Sequence, residues 1–199
     1  KILMKKSVRK RDNNMKKIIA LFLAVFMCFS VFSACKNKEL SDNSISSEIS
    51  DDLKQVELTA ENITFSIPSS WASIENLNAD VFSEIYANKD YTRFLGIISE
   101  PKDVFDSSID INKYKELIKN QMMQNASAEN IEASEENLTI NGLNAVKLQF
   151  TLPVDDIDFY YHLVIFEKDN NFNQMLFWTS KQFEKNSKVL FENIISTLK

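Results

Sequence analysis

Glycine, cysteine and histidine are scarce in this chain. Its 199 residues include two glycines, two cysteines and one histidine. The glycines are Gly96 and Gly142. A P-loop needs a glycine-rich turn ending in Gly-Lys, and a dinucleotide fingerprint needs three spaced glycines, so neither can be present. The cysteines are Cys28 and Cys35. Everything after Cys35 therefore lacks a disulfide, a thiolate metal site and a cysteine nucleophile. The single histidine, His162, excludes two-histidine zinc motifs. No cofactor and no resident metal are expected.

Positive charge is scarce beyond the first 34 residues. That segment holds eight of the chain's 23 basic residues and one of its 28 acids. Residues 35–199 are left with 15 basic and 27 acidic residues, a formal net charge of −12. A polyanionic surface repels phosphate backbones, so no nucleic-acid partner is expected. It is also repelled by an anionic bilayer.

One long apolar run is present, at residues 15–35: "MKKIIALFLAVFMCFSVFSAC". Met15-Lys16-Lys17 is a short positive start, Ile18 to Phe32 is nearly continuous apolar sequence, and small residues precede Cys35. This is the tripartite pattern of a secretory signal peptide. The run is near the lower limit for a bilayer span, and an acidic, serine-rich stretch follows it. "Phe32-Ser33-Ala34-Cys35" resembles the lipobox of bacterial lipoprotein signal peptides, with Phe32 where leucine is commonest. The resemblance implies diacylglyceryl on the Cys35 sulfur and cleavage just before it. Residues 1–34 then form the signal peptide, with Met15 the candidate start. Two acyl chains hold a protein firmly to a membrane, so membrane lipid is the expected first partner.

Residues 35–53 carry the lipidated cysteine and then a stretch rich in Ser, Asp and Glu with no aromatic residue. Such a stretch cannot bury enough surface to offset its ordering entropy and reads as a tether. Its 18 residues after Cys35 reach roughly 20–25 Å as a random coil.

Residues 54–199 change pattern. Val56, Leu58, Ile63, Phe65 and Ile67 alternate around a turn at 60–62, giving two short strands. Residues 81–99 read as a hairpin with its turn near Asn88-Lys89-Asp90. Ile111, Tyr114, Ile118 and Met122 recur at helical spacing over 110–124, with Leu117 widening the face and Asp110 as N-cap. Asn141-Gly142 between alternating runs signals a type I′ hairpin. "DFYYHLVIFEK" is apolar on both alternating faces, as in a strand covered on both sides. Phe183, Leu190, Phe191, Ile194, Ile195 and Leu198 mark a closing helix over 181–198, with Thr179 and Gln182 as a capping box. The order β-β-β-β-α-β-β-β-β-α gives an α+β domain, an antiparallel β-sheet packed by helices.

"Phe65-Ser66-Ile67-Pro68-Ser69-Ser70-Trp71" resembles the early aromatic-x-apolar-Pro-x-Gly-Trp signature of PsbP-like domains, including DcrB-like bacterial lipoproteins. The Asn141-Gly142 hairpin and the strand ending in Trp178-Thr179-Ser180 are similar too. Ser70 stands where that family often has glycine. The resemblance implies a PsbP-like α/β/α sandwich and a non-enzymatic accessory role.

Candidate sites are few. His162 lies mid-strand, and catalysis would need a nucleophile and an orienting acid beside it. Asp155, Asp156 and Asp158 place three carboxylates in one loop without an EF-hand glycine or terminal glutamate. Trp71, Tyr160, Tyr161 and Trp178 are candidates to line a ligand cleft, with His162 beside them. Glu129, Glu132, Glu135 and Glu136 fit an exposed strand edge, where charge deters pairing. The expected protein is a lipoprotein on the extracytoplasmic face of the cell membrane. Its domain binds or scaffolds an envelope protein or small ligand. The alternative is an envelope hydrolase using His162 with a nearby carboxylate.

Overall fold

The computed structural model describes residues 52–74, 81–125, 132–154 and 157–199. The signal peptide, Cys35, nearly all of the tether, Glu129, Asp155 and Asp156 lie outside the described residues. Leu53, assigned to the tether from sequence, is the first residue of a strand. Nine strands and two α-helices are described: β1 Leu53–Leu58, β2 Ile63–Pro68, β3 Ala72–Ser73, β4 Glu84–Ala87, β5 Arg93–Pro101, α1 Ile111–Asn125, β6 Ser134–Ile140, β7 Leu143–Val154, β8 Ile157–Lys168, β9 Asn171–Ser180 and α2 Glu184–Ser196. The element absent from the sequence reading is β3, whose two exposed residues carry no apolar alternation.

Seven strands form one antiparallel sheet in the order β3-β4-β5-β9-β8-β7-β6, while β1 and β2 form a separate hairpin. Successive side chains of a strand point to opposite faces, so the central strands β8 and β9 bury both. On one face α1 packs Tyr114, Ile118 and Met122 against Phe172, Leu176, Leu163 and Ile165. On the other, α2, the β1–β2 hairpin and the turn after it pack Phe191, Ile194, Ile195, Phe65 and Trp71 against Val164, Phe166, Met175 and Phe177. The domain is an α+β sandwich with the sheet as its middle layer.

Turn chemistry fixes the register. Asn141 and Gly142 have φ of +48° and +89°, as a type I′ turn requires. Asp169 and Asn170 do the same between β8 and β9, at +48° and +62°. With Ile140 and Leu143 closing their turn, odd-numbered residues of β7 aim their backbone groups at β6. That pairing stops at Gln149, so Thr151 and Pro153 face an edge that is open among the described residues. Proline has no N–H to offer there, which suits an unpaired edge. Glu135 and Glu136 stand exposed on edge strand β6, as the charge pattern indicated.

Asp110 caps α1 as expected: its Oδ1 accepts the Lys113 N–H at 2.9 Å. Three expectations need correction. Leu117 is solvent-facing, because α1 meets the sheet along the narrower Tyr114–Ile118–Met122 stripe. Phe183 is half-buried in a 3-10 turn, Lys181–Phe183, that precedes α2. Thr179 makes no capping box; it sits inside β9 and donates its hydroxyl to the Thr92 carbonyl at 2.8 Å.

Candidate functional site

His162 shares a face of β8 with Tyr160, Val164 and Phe166, and α2 closes that face. Phe177 and Phe191 meet the imidazole edge-on, with centroids 6.0 and 6.2 Å away. Gln149 Nε2 and the Tyr160 hydroxyl each lie 3.4 Å from Nδ1. Both can donate, so Nδ1 accepts and the ring proton is assigned to Nε2. Nε2 has no hydrogen-bond partner among the described residues. Glu192 Oε1 is 3.8 Å from it, beyond hydrogen-bond range, and accepts from Lys147 Nζ at 2.9 Å. Complete burial, with the cations Lys147 and Lys188 adding to it, pushes the His162 pKa down to about 3. The ring is neutral and sealed. A general base must reach a substrate proton, and this one reaches only its own core.

Trp71 and Tyr160 belong to the same apolar cluster as Phe177 and Phe191, the rings that flank His162. Trp178 does not. It lies on the opposite face, stacked on Phe94 at 5.1 Å and 6°, with Tyr161 on that face too. The four aromatics therefore line no common cleft. Tyr160 and Tyr161 are consecutive in one strand and must point apart. All four are at most 2 % exposed. Trp71 Nε1 and the Tyr161 hydroxyl are buried without a hydrogen-bond partner among the described residues.

A second polar group lies under α1 and was missed in the sequence. The Tyr114 hydroxyl donates to Glu100, and Gln174 Nε2 donates to the Tyr114 oxygen at 2.7 Å. Tyr114 stacks on Phe172 at 4.3 Å. Burial raises the Glu100 pKa, partly offset by the tyrosine's hydrogen bond. The available signal was parity. Phe94, Gly96, Ile98 and Glu100 share the face of β5 on the α1 side.

The acids on β6 are paired across both faces. Glu135 accepts from Lys115 and Lys119, each at 2.6 Å, and Glu136 meets Lys147 at 2.8 Å. These cations lower both carboxyl pKa values. Asp158 is exposed in β8. No group of three or more His, Cys, Asp or Glu side chains is arranged to hold a metal among the described residues. No helix among them is long and apolar enough to cross a membrane.

No protein-family model matches this chain, and no curated protein sequence does. Solved structures do. The solution structure of cyanobacterial PsbP (CyanoP) from Synechocystis sp. PCC 6803 matches with a TM-score of 0.59 at 13 % identity, over 83 % of this chain and 98 % of that one. This is a PsbP-like fold. LpqN of Mycobacterium tuberculosis, described as involved in cell envelope biogenesis, matches with a TM-score of 0.50 at 10 % identity, covering 82 % and 98 %. At such identities the PsbP-like fold is what is shared, and no residue's role carries over.

Proposed function

We propose that the chain is an extracytoplasmic lipoprotein. Diacylglyceryl on Cys35 anchors it, and its PsbP-like domain binds or scaffolds an envelope partner without catalysing a reaction. The observation that carries the non-catalytic reading is His162. It is 0 % exposed and neutral, and its neighbouring carboxylate is engaged by Lys147. The lipid anchor draws its support from residues 15–35 alone. LpqN, which shares this fold, is described as involved in cell envelope biogenesis, which supports an envelope reading. The test is metabolic labelling with radioactive palmitate. Wild-type protein should carry label, and a Cys35→Ala variant should carry none. Equal labelling of the two, or no label on wild type, refutes the anchor.

A further inference from the structure

The turn between β6 and β7 carries the chain's one Asn-Gly pair. Asn141 and Gly142 are both exposed, and a Cβ built on Gly142 would meet nothing within 4 Å. No Cβ shields the Gly142 amide nitrogen from the side chain before it. That nitrogen and Asn141 Cγ are the two atoms that join to close a five-membered succinimide ring.

In the folded chain both partners are held. The type I′ turn fixes the Asn141 backbone at φ +48°. The side chain is clamped from across the molecule. Asn141 Nδ2 donates to the Leu198 carbonyl at 2.6 Å and to the Ser196 carbonyl at 3.3 Å. These carbonyls stand at the C-terminal end of α2, which closes at Ser196 with Thr197 as its C-cap. Negative partial charge gathers at such an end, so an amide donor suits it. The turn by itself would also accept aspartate, but only the amide can donate to α2.

The tail that receives this clamp is docked by further contacts. Leu198 is fully buried. Lys199 exchanges two backbone hydrogen bonds with Thr64, at 2.8 and 3.3 Å, and the Thr197 hydroxyl accepts the Ser66 N–H at 2.8 Å. Lys168 Nζ donates to the Lys199 carbonyl at 3.0 Å. While the tail is docked, turning the Asn141 side chain toward Gly142 breaks its two hydrogen bonds. Once the tail lifts from β2, that restraint is gone.

We propose that Asn141 is a modification site guarded by the C-terminal end of α2. With the tail lifted, the Gly142 nitrogen loses its proton to hydroxide and attacks Asn141 Cγ. The N–Cγ bond forms, the Cγ–Nδ2 bond breaks, and Nδ2 takes up a proton and leaves as ammonia. Water then opens the ring, adding at Cγ to give aspartate or at the Asn141 backbone carbon to give isoaspartate. The net change is amide plus water to acid plus ammonia. The product carries a carboxylate where the clamp had a donor, facing the carbonyls of Ser196 and Leu198. A negative charge at a helix C-terminus is unfavourable. Isoaspartate also adds a backbone carbon to a turn whose flanking pair is Ile140 and Leu143, and a tight hairpin turn sets strand register. A chain that has opened here and reacted therefore re-docks poorly.

The test is peptide mapping by mass spectrometry of the full chain, incubated at pH 8 either folded or in concentrated guanidinium chloride. In denaturant Asn141 should be the first asparagine converted, to a mixture of isoaspartate and aspartate. Folded wild type should react about tenfold more slowly or less, since only the lifted fraction is competent. Leu198→Ala loosens the tail and should speed conversion in the folded chain about fivefold. If that variant does not fold, Thr197→Ala, which removes the acceptor of the Ser66 N–H, should act in the same direction. Asn141→Asp should lower the melting temperature by about 3 °C. No conversion at Asn141 in denaturant, or aspartate without isoaspartate, overturns the site. Equal rates folded and unfolded, or folded rates unmoved by the tail variants, overturn the guard. A wild-type melting temperature for Asn141→Asp overturns the effect on re-docking.

Discussion

Acidification should weaken this fold through one residue. His162 has a folded pKa of about 3, against an ordinary value of 6.5 when unfolded. Below pH 6.5 the unfolded chain takes up a proton that the folded chain refuses, so stability falls as pH falls, until the folded pKa is reached. Each unit of separation is worth about 1.4 kcal/mol. The ring is 0 % exposed, so solvent screening does not discount the effect. Between pH 7 and pH 5 the loss should be about 2 kcal/mol. The acids Glu135 and Glu136, whose pKa values are lowered, add their own loss only nearer pH 4 and below. Glu100 has the opposite sign: its raised pKa eases the burial of its carboxyl as pH drops. Urea titrations at pH 7, 6 and 5 on wild type and His162→Phe isolate the histidine, because Phe matches its aromatic cage of Tyr160, Phe177 and Phe191. The stability difference, variant minus wild type, should grow by about 2 kcal/mol from pH 7 to pH 5, because Glu100 contributes alike to both chains. Proton NMR adds a direct check, since one histidine gives one set of ring signals. A ring titrating near pH 6.5 in the folded protein, or an equal loss in both chains, refutes the reasoning.

Two smaller perturbations test the packing and the helix. A Cβ at Gly96 would lie 2.4 Å from the Phe82 ring. Gly96→Ala should therefore cost about 1–3 kcal/mol by overpacking, and Phe82→Leu in the same chain should recover part of it in urea melts. Asp110→Ala removes the cap on the Lys113 N–H and should cost about 1 kcal/mol, with Asp110→Asn largely preserving stability.

Local chemistry was legible in the sequence and tertiary pairing was not. Asn141-Gly142 announces its turn because few residue pairs take positive φ twice. Asp110 announces its helix because its side chain satisfies a nearby N–H. The run from Phe159 to Phe166 shows a strand covered on both sides because its apolar residues fill both parities. Parity within a strand does not say which face receives which layer. Trp71 and Trp178 therefore looked alike in sequence and lie on opposite sides of the sheet. Glu100 reads as a surface acid at a strand end until Tyr114 and Gln174, 14 and 74 residues later, are brought under it. Tyr91 gave no signal, because its left-handed backbone is imposed by the Asn88 turn.

The most direct measurement is the intact mass of protein extracted from the cell membrane. A lipoprotein anchored through Cys35 should give the mass of residues 35–199 plus a diacylglyceryl group, with Cys35 at its N-terminus. A chain still carrying residues 15–34, or one cleaved without lipid on Cys35, would contradict it.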